Sequence, residues 1–156
     1  MVIAYLVAIA FLTLSLLHVY WASGGQWGSE AAIPEVPVGN DKTMQGAFSH
    51  DEVNRPMVRA FTPTSTMTFV VAGGLALIAL IATLRTGLFG FSINHWALRW
   101  LLGAISVIML SRAIGEFRLV GFFKTVTGSR FARLDTLYYS PLCVILGLAL
   151  GWIAIF

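Results

Sequence analysis

Charge is scarce in this sequence. Only 11% of its 156 residues are charged, against roughly 25% in an average soluble domain, and the mean hydropathy is +0.83. A soluble chain of this length needs a polar surface, and the residues to build one are missing. Amphipathic stripes are missing too. The stretch LALIALIATL carries apolar residues on every helical face, as a lipid-embedded helix does and a soluble bundle helix does not. A single cysteine, Cys143, rules out an intrachain disulfide and any CxxC redox or zinc pattern, and reads as a small helix-packing residue. No basic residue precedes the first apolar run, so that run reads as a retained helix, not a cleaved signal peptide. The net charge of +3 is spread over loops, without the continuous basic surface of a nucleic-acid binder. No hydrolase triad or phosphate-binding loop is present. His18, His50 and His95 are too scattered for metal ligation. The sequence therefore assigns no metal, no cofactor and no nucleic-acid partner.

What the chain does contain is four apolar runs: Val2–Tyr20, Met67–Leu84, Trp100–Leu110 continuing to Phe123, and Leu142–Phe156. A spanning helix needs about 20 predominantly apolar residues, within a range of about 17–25. The expected fold is an all-α integral membrane protein, a four-transmembrane-helix bundle forming a single transmembrane domain. The helices are expected over about 2–22, 63–84, 97–120 and 135–156. Thr62 and Pro63 suit the start of the second helix. Trp96 and Trp100 suit the headgroup level at the start of the third. Asp135 suits the N-cap of the fourth, whose first turns Pro141 would kink. Between helices one and two lies one long polar loop, 23–61. A loop of this length is usually functional or disordered, and Trp27, Phe48 and its prolines predict a cap folded over the helix ends.

Four spans put the ends of helices one and three and the starts of helices two and four on the loop-bearing side. The polar residues gather there. Arg112 lies about 22 Å into helix three at 1.5 Å per residue, where a charge costs about 2.5–3.5 kcal/mol on insertion scales. Glu116 is four residues on, so the two share a helical face and are expected to pair in the bundle interior, facing helix one or four. His18 and Trp21 end helix one; Asp135, Tyr138 and Tyr139 begin helix four; Arg118, Lys124, Arg130 and Arg133 surround the mouth. The candidate ligand-binding residues are His18, Trp21, Arg112, Glu116, Arg118, Asp135 and Tyr139. Each has a plainer reading: an ion pair that fixes packing, interfacial aromatic residues, arginines on lipid phosphates, and a helix cap.

Three segments also carry a resemblance. HVYWASGGQWG, then IPEVP, then RAIGEFRLVGFFKTVTGSRFARLDTLYYSPLC resemble, in order, the small bacterial four-helix membrane proteins known as domain of unknown function 3995. The third-helix motif of that family is matched by Arg112, Gly115, Glu116, Arg118, Gly121, Phe122, Phe123 and Lys124. Glu116 stands where members of the family often carry aspartate. The resemblance implies the four-helix fold, a bacterial cytoplasmic membrane and the third-helix site. It implies no activity.

Three functions compete. Arginines supply forked donors for phosphate or carboxylate, the aromatics supply flat apolar walls, and His18 with Glu116 can exchange protons. This mixture fits an anionic or amphipathic ligand such as a lipid headgroup, a prenyl phosphate or a quinone, with membrane lipids as the nearest partners. The alternative is a structural or assembly subunit whose ion pairs only fix packing, with Gly73 and Gly74 on a helix-contact surface and a protein partner or second copy on the loop. A transporter using Glu116 is disfavoured, because Arg112 one turn away would hold that carboxylate ionised. Seven Lys and Arg residues flank the loop side (Lys42, Arg55, Arg59, Arg118, Lys124, Arg130, Arg133) against Arg85 and Arg99 opposite. The positive-inside rule puts that side in the cytoplasm, whereas basic N-termini in the resembling family put it outside.

Overall fold

The computed structural model describes residues 2–37, 57–87, 92–93, 95–116, 118–126 and 128–155. Helix α1 spans Val2–Ala22, and a short helix α2 covers Ser29–Ala32. Strands β1 (Glu35–Pro37) and β2 (Met57–Arg59) pair antiparallel, with Val36 opposite Val58. Helices α3 (Ser65–Thr86) and α4 (Trp96–Ile114) follow. The last span is α5 (Arg130–Leu134), a π-helical segment (Asp135–Tyr139) and α6 (Ser140–Ile155) in one continuous run.

Four of these helices are long and apolar enough to cross a membrane: Val2–Ala22, Ser65–Thr86, Trp96–Ile114 and Arg130–Ile155. The chain is an all-α, multi-pass membrane protein with a long connection between its first two spans. Leu6, Val70, Val107 and Leu148 are each more than 60% exposed; in water this would be unfavourable, whereas lipid tails cover them without cost.

Helix α1 packs chiefly along α3, and α4 along α6. The two pairs share a core at the end away from the long loop, built from Ala4, Val7, Phe11, Ala79, Ala82, Leu102, Leu150 and Ala154. Small residues there let backbones approach closely, as helix contacts in lipid require. Hydroxyl-to-carbonyl bonds replace apolar packing further along. Ser15 Oγ donates to the Ala72 carbonyl at 2.8 Å, joining α1 to α3, and Ser106 Oγ donates to the Gly147 carbonyl at 2.6 Å, joining α4 to α6. Gly147 leaves room at that crossing: a Cβ there would sit 3.0 Å from the Leu110 side chain, which would have to give way.

Three helix ends differ from the expected ones, each for a local reason. Thr64, not Thr62, caps α3, its hydroxyl accepting from the Met67 amide at 3.3 Å, so the helix runs 65–86 where 63–84 was expected. Helix α4 stops at Ile114, six residues before the expected 120, because Gly115 turns the chain out of the helix at φ 90°. The last span starts at Arg130, not Asp135. Ser129 caps it, its Oγ accepting from the Ala132 amide at 3.0 Å, and Asp135 is already helical, with φ −62° and ψ −45°. Its carboxylate is therefore free for other partners. Pro141 has no N–H to donate. The turn just before it is widened, with the Ser140 amide reaching back five residues to the Asp135 carbonyl, so the span continues through the proline. Replacing Ser129 by Ala should cost about 1 kcal/mol, a drop of about 2–4 °C in melting temperature. Thermal unfolding in detergent checks this; an unchanged midpoint would show that the cap carries nothing.

The connection between the first two spans is tied back at several points. The Trp21 indole donates to the Trp27 carbonyl at 2.9 Å, and the Tyr139 hydroxyl donates to the Ala31 carbonyl at 3.1 Å. The part of the expected cap that rests on 38–56, Phe48 included, lies outside the described residues.

Candidate functional site

Asp135, on the π segment, is fully buried. A lone carboxylate in that position would be very costly, and four donors converge on it. Oδ1 accepts from Arg112 Nη2 at 3.0 Å; Oδ2 accepts from the Gly121 amide at 2.8 Å, Lys124 Nζ at 3.0 Å and Ser140 Oγ at 3.3 Å. Lys124 is equally committed. Its buried ammonium also donates to the Gly121 carbonyl at 3.0 Å and to the Thr136 hydroxyl, which uses all three of its protons.

The local chain explains how these groups meet. Gly115 and Gly121 both have positive φ, 90° and 91°. Between them the chain reverses, and the Phe122 amide donates to the Ala113 carbonyl at 2.9 Å. The reversal lays residues 120–124 beside the end of α4, which brings Lys124 and the Gly121 amide to Asp135. Arg112, on the last turn of α4, reaches the same carboxylate from the other side.

Arg112 is only partly consumed. Its side chain is 33% exposed, and Nη1 is buried with no hydrogen-bond partner. One carboxylate stands between two cations, so the knot carries one positive charge in excess. Beside it opens a shallow groove of about 490 Å³, lined by Ile108, Ser111, Arg112, Gly115, Glu116 and Val120.

The expected site residues fall into three groups. Arg112 and Asp135 bond directly, and Glu116 shares the groove with Arg112. The expected Arg112–Glu116 pair does not form. The helix that would place Glu116 over Arg112 has ended at Ile114, Arg112 turns to Asp135 on the fourth span, and Glu116 is exposed. His18 and Trp21 form a second group: their rings meet edge-on with centroids 5.2 Å apart, and His18 Nδ1 lies 2.7 Å from the Leu14 carbonyl. Among the described residues, no hydrogen bond or ion pair links them to Arg112, Glu116 or Asp135. Tyr139 stands apart, its ring tilted at 43° to that of Phe131 with centroids 6.0 Å apart and its hydroxyl bonded to Ala31. Arg118 is exposed, with its carbonyl accepting from the Val126 amide at 3.0 Å.

Lys124 corrects the sequence reading, which set it among the cations surrounding the mouth; it is buried in the knot. Gly121 and Ser140 were not foreseen as partners of Asp135. The readable signal for Gly121 was the glycine pair in GEFRLVG, which marks a tight reversal and not a continuing helix; Ser140 reaches Asp135 from five residues further along the same span. Among the described residues, no three His, Cys, Asp or Glu side chains converge as a metal site would need.

A family model described as "Protein of unknown function (DUF3995)" matches residues 11–150. No curated protein and no solved structure matches the chain.

Proposed function

This chain belongs to the DUF3995 family, and from that premise we propose that it holds the anionic headgroup of an amphipathic ligand in the groove beside Arg112. The observation that carries the reading is Arg112 itself: Nη2 is bonded to Asp135, Nη1 is buried without a partner, and the side chain, one-third exposed, lines an open groove. A guanidinium presents its donors as a planar fork that suits phosphate oxygens. A phosphate accepts charge-assisted bonds from that fork, which a neutral quinone does not match. Ile108 and Val120 supply apolar walls for the attached chain.

Roles follow from position. Arg112 touches the ligand, and Glu116 lines the groove beside it. Asp135 and Lys124 are positioning residues, fixing the guanidinium and the reversal beneath it. Arg118, exposed at the mouth, draws anions toward it. Trp21 and Tyr139 hold residues 27–31 against the helix ends as part of a cap, and His18 supports Trp21. The reading assigns binding and no reaction, and goes with a bacterial cytoplasmic membrane.

The competing reading, that the cluster only fixes helix packing, draws on the saturation of Asp135. One variant separates the two. Arg112→Lys keeps a cation for Asp135 and removes the second donor. We expect phospholipid retention by the purified protein, measured by native mass spectrometry against diacylglycerol, to fall about tenfold, the effect of losing one charge-assisted bond. The melting temperature should stay within a few degrees. Retention that is unchanged, or that falls only in step with stability, makes the cluster structural.

A further inference from the structure

The groove contains a second charge that the anion reading leaves without a task. Glu116 lines it together with Arg112, yet the two are not within ion-pair distance, and among the described residues Glu116 makes no hydrogen bond or ion pair. Opposite charges four residues apart on a continuous helix would meet. Here the chain leaves the helix at Gly115 and holds them apart across one opening. The excess positive charge of the knot is thus balanced by Glu116, and the groove as a whole is close to neutral. A purely anionic headgroup would bring a phosphate toward a carboxylate. A headgroup carrying both signs would satisfy both ends without adding net charge.

We infer that the groove takes a zwitterionic phospholipid with a primary amine, its phosphate on Arg112 and its ammonium on Glu116. This rests on the proposed headgroup reading. The amine is specified by hydrogen bonding as well as charge. A primary ammonium has three N–H donors, and a trimethylammonium has none. Ser111 adds an acceptor, because it lines the same opening and its hydroxyl proton is committed to the Ile108 carbonyl at 2.9 Å, which leaves the oxygen to accept. The acyl chains commit the ligand to a lipid. Ile108 is 58% exposed on a spanning helix, at the border of groove and bilayer.

The test uses the full chain in detergent with an equimolar mixture of dioleoyl phosphatidylethanolamine, phosphatidylcholine and phosphatidylglycerol, with dioleoylglycerol (a diacylglycerol) as the headgroup-free reference, and native mass spectrometry reads the retained lipid. Wild type should retain phosphatidylethanolamine about tenfold over the other two, the effect of one charge-assisted hydrogen bond. Glu116→Gln, at an exposed position, should keep its melting temperature, lose that preference and retain phosphatidylglycerol at least as well. If wild type retains phosphatidylglycerol or phosphatidylcholine as well as phosphatidylethanolamine, the zwitterion inference fails while the phosphate reading stands. If it retains none of the three above the level of diacylglycerol, the headgroup reading fails and takes this one with it. If Glu116→Gln keeps the wild-type preference, the amine is not read by Glu116 and the inference is overturned.

Discussion

Asp135→Asn should cost the folded protein about 3–5 kcal/mol, the range for breaking a buried pair by removing one partner. The damage lies in what is left behind. Lys124 is buried, with 2% of its side chain exposed, and the amide that replaces the carboxylate neutralises nothing. Arg112 suffers less, because a third of its side chain already reaches the groove. The asymmetry yields a sharper expectation. Asp135→Asn with Lys124→Met should be more stable than Asp135→Asn alone, since it removes the stranded cation, and buried pairs replaced by apolar groups are often neutral in stability. Asp135→Asn with Arg112→Gln should recover little. The double-mutant cycle is measured by thermal unfolding in detergent, and coupling between such contacting residues is expected at about 0.5–3 kcal/mol. Equal coupling of Asp135 to both cations, or a single variant as stable as wild type, would show that burial does not set the energetics of this knot.

The fold was legible because its signal is composition over long windows. Four apolar runs of spanning length need no tertiary information, and the described residues form four such helices. The gathering of charge at the loop side was legible for the same reason, since topology alone puts Arg112 and Asp135 at one level. Pairing was not legible. The i,i+4 rule assigns Glu116 to Arg112 only if the helix continues, and the helix stops at the glycine between them. A glycine just past a helical run is a known stop, so the clue was present in SRAIGEF but outweighed by the apolar residues after it. Lys124 was misplaced because basic residues in loops are usually solvated, and only the folded reversal shows where this one turns. The positions of His18 and Trp21 depend on how α1 is rotated about its axis. An all-round apolar helix carries no mark of its buried face, so depth was readable and direction was not.

The reversal that builds the knot rests on two backbones in contact, and the second large effect belongs there. A Cβ on Gly115 would lie 1.8 Å from the Val120 carbonyl oxygen, and one on Gly121 would lie 2.4 Å from the Ile114 carbonyl oxygen. Neither obstacle is a side-chain tip that can swing away; both belong to the main chain. Gly115 also has φ 90° and ψ 177°, a region open in practice only to glycine, where another residue costs about 1–3 kcal/mol. Strain and overpacking together place Gly115→Ala at a loss on the order of 3–5 kcal/mol, with Gly121→Ala close behind. The consequence extends beyond stability. If the two backbones move apart, the Gly121 amide leaves Asp135, Lys124 is drawn off with it, and Arg112 loses the fixed partner that holds its guanidinium beside the groove. Each alanine variant should therefore lose phospholipid retention even well below its melting temperature. Gly73→Ala on α3, where a Cβ meets nothing within 4 Å, should change neither retention nor melting. Glycine variants that keep full retention at low temperature would show that the knot forms without the reversal, and that Arg112 is positioned by the helices alone.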